Sequence, residues 1–218
     1  GISANALKIF DKLNVGNEIR KRGYLINKTI LATEKLKVLK TIPTPDEVYC
    51  IHRASLVNIL ANELDKNTYQ LNKELVNIEN TEIVKVKFKD KTSAQFNSLI
   101  ASDGINSKVR KSIFPDIKIR NAHQVIWRGI TDFKIPSEFK NTYFELFEGS
   151  LRFLFLPLNN NKIFWLAVQD EKNYIKNAST SIKKYLLETF KNFNERVLRM
   201  LENTDKNEII ENKLGDIK

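Results

Sequence analysis

The chain has 218 residues, 42% hydrophobic and 28% charged, enough for a packed core in one large or two small domains and too apolar for a disordered polyelectrolyte. Its longest apolar stretches, such as Leu151–Leu158 interrupted by Arg152, fall far short of the roughly 20 residues that span a bilayer, and its one cysteine, Cys50, supports neither a disulfide framework nor a metal cluster. The formal net charge of +10 invites a nucleic-acid reading, but 27 lysines against 9 arginines are scattered along the chain without a basic tract, so no nucleic-acid partner is expected.

In chain order, Leu7, Phe10 and Leu13 predict a helix over 5–13, which Asn14 and Gly16 would end. Tyr24–Ala32 and Lys37–Thr41 read as strands, with Pro43-Thr44-Pro45 as a turn and Val48–Ile51 as a further short strand. A helix follows from Arg53, with Leu56, Ile59, Leu60 and Leu64 on one face. Short strands are expected at Tyr69–Leu71, Glu74–Ile78, Glu82–Phe88, Ser93–Phe96 and Ser98–Ala101, with Asp90-Lys91 as a hairpin turn. A short helix over Ser107–Ile113 then runs to Pro115, where a domain boundary is placed.

From there to Asp170 the sequence is rich in aromatic residues and punctuated by Gly149-Ser150 and Asn159-Asn160-Asn161, the pattern of an antiparallel sheet. A helical pattern returns from Ser181 to Met200. The expected fold class is mixed α/β and α+β in two layers. The ranges are 1–115 and 116–180, with 181–218 as a helix returning toward the first.

Two segments could carry chemistry. In Ala101-Ser102-Asp103-Gly104-Ile105-Asn106-Ser107, an apolar strand would deliver an acid and a glycine where a helix opens. Asp103 could accept hydrogen bonds from sugar hydroxyls and Gly104 lets backbone approach a ligand; equally, Asp103 or Ser107 could simply cap the helix. In Ile51-His52-Arg53-Ala54-Ser55-Leu56, an arginine at a strand-to-helix junction offers a fork suited to a diphosphate, or is an exposed helix-end residue. His52 and His123 form no evident ligand pair, so no metal site is expected.

Taken together these segments resemble the FAD-dependent monooxygenases of the para-hydroxybenzoate hydroxylase fold, which include zeaxanthin epoxidases and tetracycline-inactivating monooxygenases. Arg53, Leu56 and Leu60 fit the family's Arg-x-x-Leu-x-x-x-Leu helix start. Asp103, Gly104, Ser107, Val109 and Arg110 fit its Gly-Ala-Asp-Gly-x-x-Ser-x-Val-Arg run, with Ala101 and Ser102 replacing the first two positions. Gly1-Ile2 through Asn5-Ala6-Leu7, Trp127-Arg128-Gly129 and Phe155-Leu156-Pro157-Leu158 match three further segments in order. The family's Gly-x-Gly-x-x-Gly unit is absent, and Gly215-Asp216 is followed by Ile217-Lys218 where the second flavin motif continues Ala-Ala-His. The expectation is therefore an internal piece that is inactive alone.

The resemblance implies a flavoprotein that uses FAD with NADPH or NADH to insert one oxygen atom from O2 into a small organic substrate. It implies Arg53 against FAD phosphate, Leu75 or Val76 giving backbone contacts near the adenine, and Asp103 with Gly104 near the ribose. The aromatic sheet would line the substrate cavity, with Trp127, Phe153, Phe155 and Trp165 as candidates; ordinary core packing is the other reading of each. A cytoplasmic location fits the cysteine usage. A non-catalytic scaffold and a basic nucleic-acid-binding module stay as alternatives, and no catalytic side chain is assigned.

Overall fold

Alternation of apolar and polar residues dominates the chain and builds two sheets. The computed structural model describes residues 1–65, 67–80, 82–175 and 180–217. Its contacts divide the chain into one unit of Gly1–Glu63 with His123–Lys213 and a second of Leu64–Ala122 with Leu214–Lys218. This differs from the three ranges read from the sequence, because the first 63 residues associate with the aromatic sheet.

In the first unit, helices α1 (Ala4–Lys12), α2 (Gly16–Arg22) and α3 (Arg53–Asn62) accompany strands β1 (Tyr24–Thr33) and β2 (Val38–Cys50). Leu7, Val15, Ile19 and Ile59 form their shared core. Asn14 ends α1 with φ 60°, as expected, but a second helix starts immediately and Gly16 opens it rather than terminating anything. Arg20 on α2 holds Asp11 through two hydrogen bonds of 2.6 and 3.0 Å and Glu47 at 3.0 Å. Leu64 lies past the end of α3 and is exposed, so the predicted apolar face stops at Leu60.

The expected turn at Pro43-Thr44-Pro45 is instead the middle of β2. β2 is the last strand of its sheet, where a residue without an N–H leaves no central ladder bond unmade. The register against β1 also slips between Ile26 and Lys28 just before Lys28 meets Pro43.

The sheet is completed by β6 (Arg120–Asp132), β7 (Thr142–Glu148), β8 (Leu151–Leu158), β9 (Lys162–Asp170) and β10 (Ile210–Asp216), in the order β10-β6-β9-β8-β7-β1-β2. β1 runs parallel to β7, whereas β6–β9, β9–β8, β8–β7 and β1–β2 are antiparallel. Gly149 and the Asn160-Asn161 pair take positive φ at the two tight hairpins that the sequence marked.

Helices α5 (Ile182–Thr189) and α6 (Glu195–Asn203) cover one face of this sheet through a single core. They replace the one long helix expected there. Asn194 starts α6 by accepting a 3.0 Å hydrogen bond from the Arg196 N–H, while Phe190 and Phe193 remain buried across the break. The chain then ends in strand β10 and not in a returning helix.

The second unit contains the antiparallel meander β3 (Leu75–Asn80), β4 (Val84–Phe88) and β5 (Ser93–Phe96), with helix α4 (Lys108–Ile113). Val84 and Val86 are buried while Lys85 and Lys87 face water, the one-sided sheet the alternation predicts. Residues 69–71 and 98–101, expected as strands, carry no ladder, and Ile100 is 90% exposed. Apolar character alone does not make a strand without a neighbouring backbone to pair with. Among the described residues no helix is long and apolar enough to cross a membrane.

Candidate functional site

The second unit brings four of the predicted residues onto neighbouring elements. Gly104 turns the chain with φ 77°, in the left-handed region that glycine tolerates best, and a Cβ there would meet nothing within 4 Å. The turn therefore opens onto free space. Ser107 caps α4 by accepting a 2.9 Å hydrogen bond from the Arg110 N–H, and Asp103 accepts the Lys108 N–H at 2.7 Å. Asp103 thus performs the capping role that the sequence left open. The Ser107 hydroxyl beside it, followed by the Lys108 and Val109 N–H groups, holds its carboxyl below the usual carboxylate range. An ionised carboxylate offers about four lone-pair positions, so capping leaves Asp103 able to accept from a further donor.

A cavity of about 520 Å³ is lined by Asp103, Gly104, Ser107, Val109, Arg110 and Phe114, among others. Arg110 donates to the Ile105 carbonyl, but its Nε is buried with no hydrogen-bond partner. A buried N–H without an acceptor is costly and marks a place where an oxygen-bearing group would be stabilised. From the sequence, only its place in the Ser-x-Val-Arg run pointed to Arg110, as a helix-stabilising or pyridine-nucleotide-facing charge.

Leu75 and Val76 lie on β3, at the edge of the three-stranded meander. Leu75 pairs with Phe88 and Asn77 with Lys87, so Val76 is skipped by the register and bulges from the ladder. Glu74, just before β3, binds Lys108 at the start of α4, so the meander edge and the Asp103 turn are neighbours. Asp216 lies in the same unit, where it pairs with Arg120 through an Nε–Oδ1 hydrogen bond of 2.8 Å.

Arg53 belongs to the first unit. It is the first residue of α3, follows the extended His52, and is exposed. Its guanidinium has no hydrogen bond or ion pair among the described residues, unlike Arg20 and Arg22 on α2.

The four aromatic candidates for a substrate cavity are core residues, a correction to the pocket reading. Trp127, Phe153, Phe155 and Trp165 are all 0% exposed and pack against α5 and α6. Phe155 stacks on Phe144 at 4.8 Å, and Phe153 on Trp165 at 5.7 Å. Trp165 donates to Thr204 at 2.8 Å, and Trp127 to Glu211 at 3.1 Å. The physical reason is strand parity: one face of the sheet is filled by the helices, and these four share it.

Gly129 fixes the parity. A Cβ there would lie 2.7 Å from Trp165 and 2.9 Å from Thr204, so Trp127 and Gly129 face the helices while Arg128 faces away. The opposite face carries Ile126, Arg128 and Ile130 on β6, Phe164, Leu166 and Val168 on β9, and Arg152, Leu154 and Leu156 on β8. Arg152 pairs with Glu145 at 3.5 Å on this side. Sequence reasoning missed this face, and the Trp-Arg-Gly alternation was the signal available.

No family model matches the sequence. It is 25% identical over 217 residues to Monooxygenase 2 of Arabidopsis thaliana, covering 96% of this chain and 53% of that protein. It is 26% identical over 168 residues to the chloroplastic zeaxanthin epoxidase of Arabidopsis thaliana, covering 76% of this chain and 25% of that protein. The chain thus spans from a quarter to about half of these relatives. Among solved structures it resembles HpxO of Klebsiella pneumoniae complexed with FAD and uric acid, with a TM-score of 0.84, 17% identity, and coverage of 99% of this chain and 59% of that one.

Proposed function

We propose that this chain, which has the fold of the FAD-dependent monooxygenases, is the part of such an enzyme that contacts the adenosine side of FAD and supplies a substrate-facing sheet. The observation that carries the reading is the Asp103-Gly104 turn. An ionised carboxylate and an unobstructed left-handed glycine line an open cavity together with Arg110, whose Nε is unsatisfied. These residues fit a polyhydroxylated, phosphate-bearing group. Asp103 would accept from the ribose, the bulged Val76 would offer backbone hydrogen bonds to the adenine, and Arg53 would pair with phosphate.

FAD would supply the redox chemistry, accepting hydride from NADPH or NADH and activating O2 so that one oxygen atom reaches an organic substrate. The protein's own part is to bind, orient and exclude water. With the helix-covered face of the sheet filled, the opposite face is the wall that meets substrate. Its Leu154, Leu156, Phe164 and Leu166 supply an apolar surface. The candidate pocket residues move accordingly from Trp127, Phe153, Phe155 and Trp165 to this face. The substrate is a small organic molecule, and the single buried cysteine is consistent with a cytoplasmic protein.

Arg53 tests the cofactor half of this reading. In protein expressed from its full natural reading frame, Arg53→Ala should weaken FAD binding about ten- to a hundredfold, the roughly 1.5–3 kcal/mol of a charged hydrogen-bonded pair. The melting temperature of the FAD-free protein should stay unchanged, since Arg53 bonds to nothing else among the described residues. Unaltered flavin affinity would reduce Arg53 to a helix-end residue.

A further inference from the structure

The outer edge of the large sheet carries an exposed strip that the cofactor and substrate readings leave unused. β2 is the last strand of its sheet, and residues 37–43 at its start are all exposed. Val38, Leu39 and Ile42 are 53%, 61% and 39% exposed. The register passes from Leu31 opposite Lys40 to Ala32 opposite Val38, so Leu39 has no partner on β1 and bulges from the ladder.

Positive charge collects on the same hairpin. From Tyr24 to Pro45 it holds Lys28, Lys35, Lys37 and Lys40 against a single acid, Glu34. The Lys35 ammonium donates to the Asn192 carbonyl, whereas the Lys37 and Lys40 side chains have no ion pair or hydrogen bond with any described residue. Glu145 on β7, in register with Leu31 and so with Lys40, is taken by Arg152 at 3.5 Å.

This edge is guarded against a further strand. Pro43 has no N–H to offer, the bulge at Leu39 breaks the ladder, and Lys37 and Lys40 bracket Val38 and Leu39. Three large apolar side chains nevertheless stay in water, so the fitting partner contacts side chains and needs no backbone pairing. A strip of seven residues is also far smaller than the roughly 20–30 that a specific protein interface uses on each side. A bilayer meets both conditions. Apolar side chains enter its headgroup boundary, while lysine stems carry their ammonium groups to anionic lipid headgroups. We propose that residues 37–43 form a peripheral docking surface for an anionic lipid membrane. This docking depends on neither the flavin reading nor the identity of the substrate.

The test is co-sedimentation of protein from the full natural reading frame with vesicles of phosphatidylcholine, alone or mixed with phosphatidylserine. The mixed vesicles should bind at least about tenfold more tightly, since each lysine near an anionic surface contributes roughly fivefold, and added salt should weaken that preference. Lys37→Gln combined with Lys40→Gln should remove most of it. Leu39→Ser should weaken binding to the mixed vesicles severalfold and leave its salt dependence intact. All three side chains are exposed, so melting temperatures should stay at the wild-type value. If the double variant does not fold, Leu39→Ser and the single Lys40→Gln decide by the same measurements. Absence of vesicle binding, equal binding to both vesicle types, or undiminished binding by the variants would overturn the proposal. Without vesicle binding, capture of poly-glutamate that the lysine variants lose would assign the strip to an acidic polypeptide instead. A dimer that Leu39→Ser converts to monomer, again without vesicle binding, would assign it to a second copy.

Discussion

The two units differ in how much apolar core they bury, although both leave some apolar side chains exposed. The first unites Trp127, Phe153, Phe155, Trp165, Phe190, Met200 and others in one fully buried core under α5 and α6. The second buries Val84 and Val86 but leaves Leu71, Val76, Phe96, Ile100, Phe114 and further apolar side chains exposed. One unit is held by close packing, while the other leans on capped turns and surface ion pairs such as Lys73–Asp90 and Lys108–Glu74. Packing of the first kind contributes several kcal/mol per large side chain; a cap contributes about one, and an exposed pair less. The proposed cofactor turn sits in the weakly buried unit, where a ligand has most to add to stability.

The largest test of this contrast is Phe155→Ala, which should cost about 3–5 kcal/mol in denaturant unfolding of the first unit, as for other buried phenylalanines. Phe96→Ala in the second unit, at a side chain 46% exposed, should cost about 1 kcal/mol or less. Equal losses at the two sites would abolish the distinction between the units.

Ser107→Ala comes next, with an expected loss of about 1 kcal/mol confined to the second unit. It removes the cap of α4 and the hydroxyl beside Asp103, so amide exchange of residues 108–113 should accelerate while α5 and α6 stay protected. Faster exchange in all three helices would mean that the units do not respond separately.

The smallest effect is acidic. Lys73 and Thr92 hold Asp90 down at about 2. A carboxyl whose folded value is depressed stabilises fully above its unfolded value, near 3.9, and that contribution fades as pH falls through about 2. Amide exchange at the Asp90–Thr92 turn should therefore rise between about pH 4 and 2, ahead of the first unit's core. A turn indifferent to that range would show that the Lys73 pair contributes nothing there.

Much of the local structure could be read from the sequence, the division into units could not, and the exceptions share a cause. The helix beginning at Arg53, the helix after Ser107 and the hairpins at Gly149 and Asn160 all follow from local chemistry: caps, positive φ and period. The core aromatics were found as a set, but their face was not, because alternation gives parity without saying which side the helices cover. Gly129 supplies that information only once Trp165 is seen lying against it. β2 ran through two prolines because it is an edge strand, a fact of topology that local signals do not carry. α5 and α6 read as one helix because Phe190 and Phe193 keep the apolar period through the break. At the candidate site, Asp103 and Gly104 were legible by motif, whereas the unpaired Nε of Arg110 depends on what surrounds it in space.

The claim on which the account depends is that this fold serves flavin chemistry, and the visible spectrum of protein purified from the full natural reading frame tests it most directly. The account predicts a yellow protein with an oxidised-flavin spectrum. Its colour should bleach on anaerobic addition of NADPH or NADH and return on exposure to air. A colourless protein that takes up no FAD on reconstitution, or a bound flavin that neither pyridine nucleotide reduces, would contradict it.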